Sequence, residues 1–288
     1  MSYIKKQDCR MNREQELLAQ MAACVEQVRA RQPIIHHITN YISINDCANV
    51  TLAIGASPIM ANDPDEVAEV VSQSAALVLN LGTPNTRMLD SIQTAGKQAN
   101  ALGLPVVFDP VGVGFTQVRT RAVAQLLLSV RMSAVRGNLA EIGRMAGVES
   151  QLRGVDSLAA QGNAADTVRR AAKKLGCVVA ATGVSDYISD GRTVIRIDNG
   201  DPLMARVTGT GCMTTSLVAA CCGAMPDQLA AVATGVVIMG VAGEMSRALL
   251  APGDGTGTFR VRLLDAVSNM TGADILERGK VSVETSND

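Results

Sequence analysis

Tryptophan is absent from this 288-residue chain, which has only three tyrosines and three phenylalanines. Acidic and basic side chains nearly balance, at a net charge of −1, and no stretch concentrates lysine and arginine. Nucleic-acid binding needs stacking platforms and a basic groove, so that class of partner is set aside. Also missing is any Cys-x-x-Cys pair. The seven cysteines (Cys9, Cys24, Cys47, Cys177, Cys212, Cys221 and Cys222) are odd in number and mostly embedded in apolar segments. In a chain of this length that pattern describes reduced thiols in the cytosol, not a disulfide framework or a zinc site. The opening residues, Met1 to Lys6, are polar and lack the apolar core of a secretory signal. The longest apolar stretch, near Leu229 to Val241, holds Gly235 and Gly240 and is short for a membrane span. A buried helix is expected there, with no membrane partner and a cytoplasmic location.

What the chain does have is core-forming material: 47% of its residues are hydrophobic and 18% charged, which excludes intrinsic disorder. Short β-branched runs alternate with longer helical patterns. Strands are expected at Ile34 to His37, Pro58 to Ala61, Ala76 to Leu81, Pro105 to Asp109, Ala134 to Arg136 and Cys177 to Ala181. Helices are expected near 43–54, 64–74, 85–102, 116–130, 139–146 and 158–175, with Gly103 and Gly176 as C-caps. Such alternation predicts crossover units around a mostly parallel, buried sheet. After Gly183 the pattern changes. Tyr187 to Ser189 and Thr193 to Ile197 flank Asp190-Gly191, a two-residue hairpin turn, and long helices follow near 212–222 and 226–250. No repeat or linker divides the chain. The expected organisation is a loose extension over 1–15, one α/β domain over 16–277 with helices on both faces of the sheet, and a polar tail over 278–288.

Four motifs fall at predicted strand ends or helix starts. Val207-Thr208-Gly209-Thr210-Gly211-Cys212 turns tightly into an apolar helix. A helix N-terminus presents free N–H groups and a positive dipole end, which suit a phosphoryl group. The same field is expected to lower the pKa of a Cys212 thiol and make it a general base. A glycine-rich cap carrying a buried cysteine is the plain alternative. Asp109-Pro110-Val111-Gly112 follows an apolar strand, where a carboxylate could hold Mg²⁺ or simply open an Asp-Pro turn. Asn138 and Glu141 have capping-box spacing, a sufficient structural explanation, beside a functional one with Arg136 on phosphates and the pair near a metal. Thr182-Gly183 closes a buried strand, its hydroxyl free for a phosphate or a turn.

Taken in order, His36-His37-Ile38-Thr39-Asn40, Gly55 to Ala61, Asp109-Pro110-Val111-Gly112, Arg136-Gly137-Asn138 and Val207 to Cys212 resemble the hydroxyethylthiazole kinase family. The resemblance runs from about Pro33 to Asp265 and implies a ribokinase-like three-layer sandwich. It further implies ATP-dependent phosphorylation of 4-methyl-5-(2-hydroxyethyl)thiazole in thiamine synthesis and salvage, with Mg²⁺ and a homotrimer whose active sites lie between subunits. Carried onto this sequence, the family's pattern puts Met60, Asn40 and Gly209 on the substrate and Arg136 and Thr182 on ATP. It puts Asn138, Glu141 and Asp109 around the metal, and Cys212 with Gly209, Thr210 and Gly211 at the catalytic turn. Most ribokinase-like relatives carry aspartate where Cys212 stands, and His37 stands where many members of the thiazole branch carry asparagine.

Other residues have plainer readings. Neighbouring His36 and His37 on a strand face opposite sides, so a shared metal is disfavoured and a structural or substrate-lining role is expected. Cys221 and Cys222 read as packing residues, Met60 as either core filler or pocket lining, and Gly253 to Thr258 as a surface turn before a strand. Competing functions are a kinase for hydroxymethylpyrimidine or a sugar, an ATP- or ADP-dependent dehydratase of hydrated nicotinamide nucleotides, and a non-catalytic binding protein. The first two favour aspartate at position 212, and the intact Cys212, Asn138 and Glu141 count against the third.

Overall fold

A computed structural model describes residues 3–147 and 158–285. The elements in chain order are α1 (Tyr3–Arg31), β1 (Ile34–Ile38), α2 (Ile44–Ile54), β2 (Ser57–Ile59), α3 (Val67–Ser72), β3 (Ala76–Asn80), α4 (Thr86–Leu102) and β4 (Val106–Asp109). Then come α5 (Gln117–Ser129), β5 (Ala134–Asn138), α6 (Leu139–Ala146), α7 (Leu158–Leu175), β6 (Val178–Thr182), β7 (Asp186–Ser189) and β8 (Thr193–Ile197). A 3₁₀ turn (Pro202–Arg206) precedes α8 (Thr210–Ala224), α9 (Gln228–Ala248), α10 (Thr256–Asn269), α11 (Gly272–Arg278) and β9 (Val281–Thr285).

Among the described residues nine strands form one sheet, ordered β2-β1-β3-β4-β5-β6-β7-β8-β9. The first six run parallel, and β7, β8 and β9 add an antiparallel edge. All five residues of β3, Ala-Leu-Val-Leu-Asn, are buried, as a strand covered on both faces requires. One core, with Val78, Val107 and Ala180, packs under α1, α2, α8 and α9. The other, with Leu77, Leu79 and Phe108, packs under helices α3 to α7. The result is three layers. β1 has neighbours on both sides, so the strand order reverses between β1 and β3, and ligands of open α/β sheets bind beyond the carboxyl ends at such a point.

The expected pattern holds for the parallel strands and the helices between them. Gly103 caps α4 from the left-handed region at φ 69°, its amide closing on the last turn. α9 is long and apolar enough to span a membrane by length and composition, yet 83% of its apolar window is buried inside the fold. It is apolar all round because it is surrounded.

Four expectations are corrected. The stretch expected as a loose extension is helical from Tyr3, and α1 continues to Arg31. Its stripe Leu17, Met21, Cys24, Val25 and Val28 is buried against the α8 and α9 layer. Arg29 and Arg31 near its end donate to carbonyls at the C-termini of α10 (Ser268, Met270) and α8 (Ala224), where positive charge meets the negative end of each helix dipole. The expected polar tail holds the end of α11 and β9, whose Val281 and Thr285 pair with Ile197 and Thr193; residues 286–288 lie outside the described residues, as do residues 1 and 2. The β7–β8 connection has three residues between the strand ends, not two, because Asp190 Oδ1 accepts from the amides of both Arg192 and Thr193 and rounds the turn. The glycine segment from Gly253 leads into helix α10 and not a strand.

Candidate active site

The site is built where the N-terminus of α8 reaches the carboxyl ends of β1, β3, β4 and β5. Gly209 is the N-cap of α8 at φ 88°, a conformation that side chains rarely adopt. A β-carbon there would also crowd Ser43, whose Cβ would lie 3.1 Å away. The first helical bond runs from the Met213 amide to the Gly209 carbonyl at 2.8 Å. The amides of Thr210, Gly211 and Cys212 lie ahead of it, with no place in the helical ladder. Thr210 turns its hydroxyl back onto the Met204 carbonyl at 3.1 Å, which locks the turn.

These residues line a cavity of about 1190 Å³ together with Asp109, Arg136, Asn138, Glu141 and Thr182. Of the sequence-predicted site residues, the structure thus puts all but two in the cavity wall, and one of those two, Asn40, still reaches the site through Cys212. Met60 follows β2 at the edge of the sheet, and Asn40 follows β1; neither is part of the cavity lining. Asn40 is instead committed to its surroundings. Its Oδ1 accepts from Ile42 N, Ser43 N and Ser43 Oγ, and its Nδ2 points to Asn80 Oδ1 at 3.0 Å and Cys212 Sγ at 3.4 Å.

Arg136 reaches across this end of the sheet. Its Nη2 donates to the Thr182 hydroxyl, its Nη1 lies 3.7 Å from Asp109 Oδ2, and its buried Nε has no partner. Gly211 gives the guanidinium room, since a β-carbon there would stand 2.6 Å from Nη1. A permanent cation therefore sits directly against the open helix terminus.

Asp109 is buried, and Thr215 donates to its Oδ2 at 2.8 Å. Oδ1 is buried with no partner. Loss of solvation pushes this carboxyl up to about 6, against the pull of Arg136 and Thr215. The capping box expected at Asn138 and Glu141 is complete: Asn138 Oδ1 accepts from Glu141 N at 2.9 Å, and Glu141 Oε2 from Asn138 N at 2.8 Å. Glu141 Oε1 also accepts from Gly112 N at 2.7 Å. Each Glu141 oxygen is thus already spent once. Among the described residues no group of three or more His, Cys, Asp or Glu side chains could enclose a metal.

The expectation of a depressed Cys212 thiol is overturned. Burial, and next the Asp109 carboxylate, push the thiol above its ordinary value, while the neighbouring Ser43 and the Asn40 and Asn80 amides that donate to the sulfur oppose them. The field of one helix end does not compensate for a sulfur withdrawn from water. His36 and His37 face opposite sides as expected. His36 Nε2 meets the Ala61 carbonyl at 2.8 Å, and His37 meets Ile35 O and Ser216 Oγ at 3.0 and 3.1 Å. A carbonyl only accepts, so Nδ1 of His37 carries its proton and Nε2 accepts from Ser216.

Two site residues went unrecognised in the sequence. Asn80 donates to Cys212 Sγ at 3.3 Å; its signal was a polar residue closing an apolar strand in register with Asp109. Asp186 lines the cavity beside Thr182 and Gly183, with burial pushing its carboxyl up to about 7. It opens a hairpin strand and had no distinguishing pattern.

Comparison with known proteins places these features. The sequence profile of the Hydroxyethylthiazole kinase family matches residues 25–273. The hydroxyethylthiazole kinase of Ruminiclostridium cellulolyticum is 47% identical over 258 residues, covering 88% of this chain and 94% of that protein. That of Alkaliphilus oremlandii is 45% identical, over 92% of this chain and 98% of its own. The structure of the hydroxyethylthiazole kinase protein from Pyrococcus horikoshii OT3 superposes with a TM-score of 0.83 at 34% identity, over 92% of this chain and 98% of that one. Pyridoxal kinase from Staphylococcus aureus shares the fold, with a TM-score of 0.60 at 16% identity over 88% of this chain and 98% of its own. The chain belongs to the hydroxyethylthiazole kinase family.

Proposed function

We propose that this protein transfers the γ-phosphoryl group of ATP to the hydroxyl of 4-methyl-5-(2-hydroxyethyl)thiazole, in thiamine synthesis and salvage. The observation that carries the reading is the meeting, at one cavity, of the open α8 terminus, the Arg136 guanidinium and the Cys212 sulfur. In such a transfer the substrate oxygen bonds to phosphorus as the bond to the ADP oxygen breaks, and charge spreads over the migrating group's oxygens. The amides of Thr210 to Cys212 and the fixed charge of Arg136 are aimed where that charge develops, with no reorganisation needed. Thr182 holds Arg136 in place.

Cys212 stands at the third helical position of α8, at the edge of this nest. With its thiol pushed up by burial, it serves mainly to hold the substrate hydroxyl in line. The hydroxyl becomes acidic only once its oxygen has begun to bond to phosphorus, so its proton leaves late, to water or a phosphate oxygen, and the neutral thiol need only accept a hydrogen bond from it. That accounts for a cysteine where related kinases carry aspartate.

The donor set also fits Mg²⁺, which takes one or two carboxylates and completes its shell with phosphates and water. Asp109 offers a buried carboxylate oxygen without a partner, and Glu141 could join through a second lone pair or a water. When bound, the ion would neutralise phosphate charge. A homotrimer with active sites between subunits accompanies this reading. Met60 and Asn40 stand at the β2–β1 side of the sheet, outside the chain's own cavity, and the adjacent Tyr41 and Ile42 are 73% and 59% exposed. The described cysteines are free thiols, in keeping with a cytoplasmic enzyme.

The test is ADP release from Mg-ATP with the thiazole alcohol, hydroxymethylpyrimidine, ribose or no acceptor. Release with the thiazole alone is expected. Release with another alcohol would move the substrate, and none with any, from folded protein that binds ATP, would turn the reading to a dehydratase or a binding protein.

A further inference from the structure

We infer that Asn80 is a positioning residue of the phosphoryl-transfer site, acting through the sulfur of Cys212; this rests on the reading that Cys212 holds the substrate hydroxyl. Asn80 closes β3 and is buried. Its amide has one possible orientation. Oδ1 accepts from Gly82 N at 2.8 Å and Asn40 Nδ2 at 3.0 Å, so the nitrogen is the end that meets Cys212 Sγ, at 3.3 Å. The orientation of Asn40 is fixed in the same way, because its Oδ1 takes three donors from Ile42 and Ser43. Its Nδ2 is the second donor to the sulfur, at 3.4 Å.

The sulfur thus receives two amide N–H groups from residues that close or follow β3 and β1, the strands on either side of the order reversal. Cys212 lines the cavity and neither asparagine does. Both donors therefore approach the sulfur from behind, which leaves its remaining bonding direction on the cavity side. A Cys side chain otherwise rotates about χ1 among three staggered wells; two fixed donors single one out. With both donors behind it, the sulfur offers its cavity-side lone pair as an acceptor for the substrate hydroxyl's hydrogen bond. Close packing protects the arrangement, since a β-carbon on Gly82 would fall 2.6 Å from Asn40 Cβ.

The experiment is a double-mutant cycle with Asn80→Asp and Cys212→Ala, measured as kcat and ATP KM in the full-length protein. Aspartate keeps the oxygen that Gly82 and Asn40 use and loses the donor to sulfur; it also adds a carboxylate beside Asp109, an effect present in both backgrounds that the cycle subtracts. Asn80→Asp should lower kcat roughly tenfold with ATP KM unchanged, and should have little further effect in the Cys212→Ala background, the mark of residues that act as a unit. Equal losses in both backgrounds, or wild-type kcat for Asn80→Asp, would overturn the proposal. Full turnover by Cys212→Ala would remove the catalytic reading and the proposal together, whereas additivity with a Cys212→Ala defect would remove the proposal alone. If Asn80→Asp does not fold, Asn80→Ser takes its place, with Asn40→Ser carried through the same cycle so that the effect of each donor to sulfur is read separately.

Discussion

The Thr215 hydroxyl donates to Oδ2 of Asp109 at 2.8 Å, tying the end of β4 to α8 one turn beyond Cys212. This is a buried hydrogen bond to a carboxylate whose other oxygen has no partner, and Arg136 Nη1, 3.7 Å from the same Oδ2, stands too far to replace it. Thr215→Val keeps the shape and removes the donor. Urea unfolding at neutral pH should show a loss of about 1.5–3 kcal/mol, the range for hydrogen bonds to charged groups. A loss below about 0.5 kcal/mol would mean that water already shares the bond.

Cys212 separates positioning from basicity. Cys212→Ala should lower kcat about 10²-fold while calorimetric ATP affinity stays near wild type, because the α8 amides and Arg136 remain. Cys212→Asp should stay active, since a carboxylate can accept from Asn40 and Asn80 as the sulfur does. A folded but inactive Cys212→Asp would show that the site needs sulfur itself.

Much of this could be read in the sequence for a simple reason. The parallel strands are covered on both faces, so they appear as unbroken apolar runs, and the chemistry sits at their ends, as Asp109 and Thr182 do. Asn80 follows the same rule and was overlooked because it carries no charge and no motif. α1 was hidden differently. Lys5, Lys6, Asp8, Arg10 and Arg13 make its first turns look solvated, and its buried stripe becomes evident only from Leu17 onward. In α10, Gly255 and Gly257 bracket the first helical residue, so the residues that usually break helices concealed a start. The raised Cys212 thiol could not be read at all, because desolvation depends on which chains close over the sulfur.

Gly211 sets activity against stability. It lies inside α8 with ordinary backbone angles, so alanine there should favour the helix by up to about 1 kcal/mol. The new methyl would meet Arg136 Nη1 at 2.6 Å, however, and must displace the guanidinium. Gly211→Ala should therefore unfold at or above the wild-type temperature while kcat/KM for ATP falls at least about tenfold. A variant that kept its activity would show that Arg136 can move aside without cost, and so is not held in place for the phosphates.

His37 should leave a signature in acid. Burial holds its imidazole down at about 4, against an ordinary 6.5, so the native state keeps it neutral where the unfolded chain is protonated. Below pH 6.5 the unfolded state then binds more protons, and stability falls as pH drops toward 4, by about 3 kcal/mol at 1.4 kcal/mol per pH unit. Asp109 works the other way. Its carboxyl is raised from 3.8 to about 6, so the native state takes up a proton first and gains stability over the same interval, and Asp186, at about 7, adds to that gain. The wild-type profile mixes these opposing contributions, and a difference measurement separates them. His37→Asn retains a donor for the Ile35 carbonyl and removes the titration. Its stability relative to wild type should rise steadily between pH 6.5 and 4 in urea titrations. A constant difference across that range would mean that the native fold admits a charged His37, with Ser216 turning its oxygen toward the ring to accept from it.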